Sequence, residues 1–310
     1  MVSSKFGLVA AVLAAAGGVL MPGMARGATN IYVCSNNGWY GSGSVGKYNL
    51  DGTAVNTALL SGLYLPAGIA VSGTDLYVAE DTSGVVGKYT TSGAVVNTSL
   101  ISGLSEAHDV AVVGSNLFVV NQQTGTIGEY TTSGGVVNAA LITGLNEPAY
   151  MAITGGYIYV TNQGNGTVGK YSLSGATVNA AFITDAGLPF GITASGDDLY
   201  IGNQSGQRIE EYTTSGALVN GDLVSLATGP AGLGVAGSTL YVEKTDNGGG
   251  YGGAEVGAYS LPTGATLNTN FITGLYEPNK LVIADDAVPE PGTVCLVGLG
   301  VVGLLGRRRK

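Results

Sequence analysis

Gly68-Ile-Ala-Val71, Leu76-Tyr-Val78, Val85-Val-Gly-Lys-Tyr89 and Ala94-Val-Val-Asn-Thr-Ser-Leu-Ile101 follow one another in a single stretch of chain. Each run is rich in Val, Ile and Tyr, residues that suit a pleated, half-buried surface. The connecting Ser72-Gly-Thr-Asp75 and Thr90-Thr-Ser-Gly93 carry glycines that permit positive φ. Four short strands joined by tight turns describe an antiparallel meander.

The unit recurs. Aligned on the tyrosine closing Val-Gly-Lys-Tyr, the copies fall at Tyr48, Tyr89, Tyr130, Tyr171, Tyr212 and Tyr259, spaced by 41, 41, 41, 41 and 47 residues. One such sheet, apolar on both faces, cannot stand alone and must stack on neighbours. The expected fold is all-β: a six-bladed β-propeller of four-stranded blades over residues 29–287. The last repeat supplies only one strand, Lys280-Leu-Val-Ile-Ala284. Its missing strands lie at the other end, in Asn30-Ile-Tyr-Val33, Val45-Gly-Lys-Tyr48 and Ala54 to Leu60, which predicts a three-plus-one closure.

Pro66-Ala-Gly-Ile-Ala-Val71 and Leu76-Tyr-Val-Ala-Glu80 resemble the NHL-type propeller repeat. That resemblance supports the fold and assigns no activity, since a fold hosts many functions.

The ends read as address labels. Lys5, the apolar run Phe6 to Leu20 and the small residues Gly23, Ala25, Gly27 and Ala28 predict a secretory signal peptide over residues 1–28. At the other end, residues 288–293 (Val-Pro-Glu-Pro-Gly-Thr) precede an apolar stretch, 294–306, and the basic end 307–310. Pro289, Glu290 and Pro291, the short apolar segment and Arg307, Arg308 and Arg309 resemble the PEP-CTERM sorting signal of Gram-negative bacteria. The resemblance implies an exosortase-type protease as partner and delivery to the cell surface or extracellular matrix. The apolar stretch predicts a short transmembrane sorting helix that anchors transiently in the inner membrane, its basic end held on the cytoplasmic side.

Between the ends stand six basic against 20 acidic residues, a net charge of −14. Such a surface excludes nucleic acid and anionic membrane as partners; cations and neutral polymers fit it. Cys34 is the only cysteine outside the tail, so no intramolecular disulfide staples the ring.

A residue type present in all six copies serves the common unit. Asn56, Asn97, Asn138, Asn179, Asn220 and Asn268 therefore read as structural hydrogen-bonding groups. The second- and third-strand tyrosines read as core. The departures are the candidates for function.

Just past the second strand stand Glu80, Asn121, Asn162 and Asn203, whose oxygens would suit Ca²⁺ if they faced an axial funnel. A resemblance to lactonase-type propellers, which hold metal with carboxylate and amide oxygens, implies the alternative reading: a metal-dependent lactonase or lyase. Strand-end polar residues also cap turns. His108, the only histidine, excludes a multi-histidine zinc site and reads as a loop or funnel residue.

Two loops break the repeat. From the second-strand Val or Ile to the third-strand Tyr is 11 residues in four blades, but 15 from Val33 to Tyr48 and 17 from Val242 to Tyr259. Closure makes these blades neighbours and puts both loops on one face. They carry Asn36, Asn37, Trp39 and Tyr40 in one, and Asp246, Asn247 and Tyr251 in the other. Aromatic rings beside amides and a carboxylate suit sugar rings, which offer C–H surface and hydroxyls together. The expected function is a non-enzymatic binding or matrix scaffold, with exopolysaccharide or another surface protein as ligand.

Overall fold

The computed structural model describes residues 28–36, 41–184, 186–245 and 253–285. Among them blade 1 begins with β1 (Thr29–Ser35), β2 (Gly43–Asn49) and β3 (Ala54–Leu63). Blade 2 is β4 (Pro66–Ser72), β5 (Asp75–Glu80), β6 (Val85–Thr90) and β7 (Val95–Ile101). Blade 3 is β8 (Ala107–Val113), β9 (Asn116–Asn121), β10 (Thr126–Thr131) and β11 (Val136–Ile142). Blade 4 is β12 (Pro148–Thr154), β13 (Tyr157–Asn162), β14 (Thr167–Ser172) and β15 (Thr177–Ile183). Blade 5 is β16 (Pro189–Ser195), β17 (Asp198–Asn203), β18 (Arg208–Thr213) and β19 (Leu218–Ser225). Blade 6 is β20 (Pro230–Ala236), β21 (Thr239–Lys244), β22 (Ala254–Ser260) and β23 (Thr266–Leu275). The last strand, β24 (Pro278–Asp285), returns to blade 1, whose order is β24-β1-β2-β3.

All pairings are antiparallel, and β24 meets β1 with Ile31 opposite Ile283 and Val33 opposite Leu281. The first strand of each blade is the inner one, and these touch in sequence round the ring: β4 on β8, β8 on β12, β12 on β16, β16 on β20, β20 on β24 and β24 on β4. The three-plus-one closure is therefore present. No described helix is long and apolar enough to cross a membrane; the expected sorting helix lies outside the described residues.

Core packing explains the repeated motif. All eleven second- and third-strand tyrosines are buried. In the third strand the tyrosine ring folds back over the glycine two residues before it: a Cβ on Gly87 would lie 2.7 Å from the Tyr89 ring, and one on Gly169 would lie 2.6 Å from that of Tyr171. Val-Gly-Lys-Tyr thus needs its glycine to make room for its tyrosine. Blade 5 breaks this rule with Glu210, which is buried and accepts a hydrogen bond from the Tyr212 hydroxyl at 3.0 Å.

The repeated asparagines act on the outer edge. Each Oδ1 accepts the N–H of the residue two further on, at 3.0–3.1 Å, in all six blades. The outer strand is bulged there: Lys88 lies opposite Asn97 and Val86 opposite Ile101. Side-chain capture of an edge N–H, together with a bulge, blunts a strand edge against further pairing.

The third turn of each blade docks on its neighbour. Gly134 has φ +90, and a Cβ there would stand 2.5 Å from the Leu100 carbonyl oxygen of blade 2. Gly144 also has positive φ, but a Cβ would meet open space. Gly144→Ala should cost about 1 kcal/mol from the left-handed backbone alone, and Gly134→Ala distinctly more, because the neighbouring blade must shift. Urea midpoints of the two variants check this, with equal losses counting against the interblade contact.

Candidate functional site

The end of each second strand and the start of each inner strand meet on one face of the ring. The residue after the second strand donates its N–H to the carbonyl just ahead of the inner strand: Asn36 to Glu277, Asp81 to Leu65, Gln122 to Glu106, Gln163 to Glu147, Gln204 to Leu188 and Thr245 to Gly229. Both long loops leave from this ring of residues, at Asn36 and Thr245, in adjacent blades 1 and 6. Asn36 is buried, with Oδ1 unpartnered. Asn37, Trp39, Tyr40, Asp246, Asn247 and Tyr251 lie outside the described residues. The ring of residues on this face includes Asp81, Glu106, Glu147 and Glu277, and burial, reinforced by Glu106, pushes Asp81 up to about 6.

The strand-end oxygens turn to their own surroundings. Glu80 Oε2 accepts the Tyr64 N–H at 2.6 Å, and Asn162 Oδ1 accepts the Asn146 N–H at 3.4 Å; both donors sit in the connector entering that blade. Asn203 Oδ1 takes the Ser205 hydroxyl and the Gly206 N–H, while its amide donates to Glu210. Asn121 donates to Thr126 Oγ1, and its Oδ1 is buried without a partner. None of the four is hydrogen-bonded to another, and no group of three His, Cys, Asp or Glu able to hold a metal occurs among the described residues. Asn203 caps its own turn, whereas Glu80 and Asn162 hold the connector between blades.

The axis holds a polar cluster separate from the two long loops. The third residue of the inner strand reads Gly68, Asp109, Tyr150, Gly191, Gly232 and Lys280. Tyr150 reaches across the ring from blade 4 to blade 1, donating its hydroxyl to the Asn279 carbonyl at 2.6 Å. Lys280 Nζ pairs with Asp109 Oδ2 at 2.8 Å and lies 4.7 Å from the Tyr150 ring centroid. Asp109 Oδ2 also accepts the Met151 N–H at 2.9 Å, and Oδ1 accepts that of Val110. The glycines of the other blades let neighbouring inner strands approach closely: a Cβ on Gly68 would lie 2.6 Å from Asp109 Cα, and one on Gly232 would lie 2.8 Å from Lys280 Cα. All three residues depart from a position that is glycine in the other three blades, which is a signal present in the sequence.

His108 packs against this cluster, 4.9 Å from the Tyr150 ring and 5.8 Å from Phe190, with Nδ1 3.0 Å from the Ala149 carbonyl. Burial and the nearby Lys280 charge lower it to about 4, against the hydrogen bond, so it is neutral at pH 7. Glu243 is fully buried; burial raises it to about 8, although Oε2 accepts the Gly232 N–H at 3.0 Å and Lys280 is close. Cys34 is a buried thiol pushed up by burial and is chemically quiet.

Residues 287–310 match the PEP-CTERM protein-sorting motif. The chain carries this sorting motif. It implies recognition by an exosortase, with export and surface sorting in Gram-negative bacteria. Compared by sequence with curated proteins, this chain has no match. By structure it is similar to a chain of a nidogen/laminin complex, at 17% identity and TM-score 0.69, covering 83% of this chain and 98% of that one. It is also similar to an inactive variant of virginiamycin B lyase from Staphylococcus aureus with quinupristin, at 18% identity and TM-score 0.58, covering 85% and 94%. A gluconolactonase from Xanthomonas campestris gives 15% identity and TM-score 0.56, covering 65% and 75%. Such likenesses show the propeller fold alone.

Proposed function

We infer that this chain is a surface-sorted, non-enzymatic propeller that binds polysaccharide or another surface protein through the face bearing its two long loops. Residues 1–28 act as the export signal, and the apolar tail anchors the chain in the inner membrane until an exosortase trims it. The observation that carries the reading is the polar plug across the axis at the third inner-strand residue, beyond which the inner strands line a cavity of about 220 Å³ walled mostly by apolar side chains. Where a propeller enzyme needs a reachable base or metal in its funnel, this chain places Tyr150 across the ring, an Asp109–Lys280 pair and a His108 neutralised by burial. The acidic face favours neutral or cationic ligands over polyanions.

The test is a polysaccharide-retention assay with a metal readout. Trp39→Ala should weaken retention on the producer's exopolysaccharide while leaving thermal melting unchanged. Millimolar calcium should not shift the melting temperature. Equal retention by Trp39→Ala overturns the role of the loop face, and a tightly bound stoichiometric divalent ion overturns the non-enzymatic reading in favour of the lactonase alternative.

A further inference from the structure

Blades 1 and 6 share more than their long loops. Their outer strands, β3 and β23, run for ten residues, against seven or eight in the other blades. The added length pairs Gly43 with Leu63 and Ala254 with Leu275, and both leucines are buried. The next residue is Tyr64 in one blade and Tyr276 in the other, where the remaining connectors carry Ser105, Asn146, Gly187 and Thr228. These two tyrosines are 50% and 38% exposed, unlike the eleven repeat tyrosines of the core.

Tyr64 is held in place. Its N–H is bonded to Glu80, and its ring packs against Gly41, whose ideal Cβ position lies 3.5 Å from two ring carbons. The ring borders a cavity of about 510 Å³ between blades 1 and 2, whose polar lining includes Ser61, Glu80, Ser83, Thr98 and Ser99, with Leu60 and Val85 among its apolar walls. No basic residue lines it.

A fixed, half-exposed aromatic ring offers a flat apolar surface at little entropic cost. Hydroxyls and a carboxylate around it supply donors and acceptors at several angles. That combination matches a pyranose, which presents a C–H face and equatorial hydroxyls, and the lack of a cation disfavours acidic sugars. The volume lies in the range of small-molecule sites. We propose that the groove between blades 1 and 2 is a subsite for a neutral pyranose of a polysaccharide, with Tyr64 as its stacking platform and Glu80 and Ser83 as hydroxyl partners. This inference rests on the polysaccharide reading above and places one binding position on described residues.

The test uses the full chain in detergent, titrated with short neutral glucan and mannan fragments and with a polyuronate as the acidic control. Tyr64→Ala should weaken neutral-fragment binding about tenfold or more, the scale of one aromatic contact, and Tyr64→Phe should retain it. Ser83 is exposed, so Ser83→Trp fills the groove without removing a core contact and should block binding at an unchanged melting temperature. Wild-type binding that is lost in Trp39→Ala yet indifferent to Tyr64→Ala and Ser83→Trp overturns this groove and leaves the face reading standing. A wild-type chain that binds no neutral fragment overturns both, and preference for the polyuronate overturns the assigned sugar class.

Discussion

Deleting residues 280–285 should abolish cooperative melting of the entire ring rather than of one blade. The deletion removes most of β24, the inner strand of blade 1, and with it the contacts of β20 and β4 on either side. Leu281 is buried among Ile31, Val33, Val256 and Ile272, so a core cluster shared by blades 1 and 6 loses its centre. The loss also crosses the axis. Asp109, fully buried in blade 3, keeps its carboxyl but loses Lys280, and an uncompensated buried charge costs about 3 to 5 kcal/mol. A domain of this kind has about 5 to 15 kcal/mol in total, so these losses exceed what one open blade could tolerate. Lys280→Met isolates the electrostatic part: it keeps the strand, and its melting should remain cooperative at a lower temperature. Calorimetry on both variants decides the matter; a deletion variant that still melts as one unit near the wild-type temperature would show that the ring closes without its last strand.

That dependence ties folding to sorting. The strand that closes the ring ends at Asp285, and the sorting match begins at residue 287. Trimming downstream of Asp285 leaves the latch intact, while a cut inside β24 would open it.

The spacing of six tyrosines made the blades legible because every blade must solve the same packing problem: a tyrosine ring needs a glycine beneath it, and an outer edge needs its N–H groups covered. Recurrence reports such shared needs, and the asparagines at the outer edge answered as expected. The axis was not legible in that way. Asp109 and Lys280 stand 171 positions apart, and nothing local to either shows that the ring brings them to 2.8 Å. For the strand-end oxygens the gap is of the opposite kind. Glu80, Asn121, Asn162 and Asn203 were correctly placed at equivalent positions, but periodicity fixes a position without fixing which way a side chain turns. The connector amides of Tyr64 and Asn146 capture two of them. Tyr64 and Tyr276 went unread because seventeen tyrosines, eleven of them core, hide two that belong to neither repeated position.

Between about pH 6.5 and 8 the wild-type ring should lose stability as pH rises, and Glu243→Gln should remove that loss. Glu243 has its ordinary value near 4.5 in the unfolded chain and about 8 in the fold. Across that window the folded state keeps a proton that the unfolded chain has released, so raising the pH favours unfolding. His108 acts in the other direction. Its value falls from 6.5 to about 4, so between those limits the unfolded chain binds a proton that the fold refuses, and lowering the pH favours unfolding. The His108 and Glu243 slopes oppose each other between about 4.5 and 6.5, where Asp81, raised to about 6, adds to the glutamate's side, and above 6.5 the glutamate slope dominates. At about 1.4 kcal/mol per pH unit, the loss from 6.5 to 8 is roughly 2 kcal/mol. Lys280 of β24 and the Gly232 N–H of β20 both face Glu243 and restrain the shift, while burial dominates it; burial raises Asp109 in the same direction, against its bond to Lys280. The glutamine variant keeps the shape and the Gly232 bond but has no proton to lose. Its stability should lack the Glu243 slope above pH 6.5, and below about pH 6 the slope of Asp81, raised by burial to about 6, opposes that of His108. Urea midpoints at half-unit steps from pH 4.5 to 8.5 measure both curves; parallel curves for wild type and Glu243→Gln would mean that Glu243 is ionised within the fold at neutral pH.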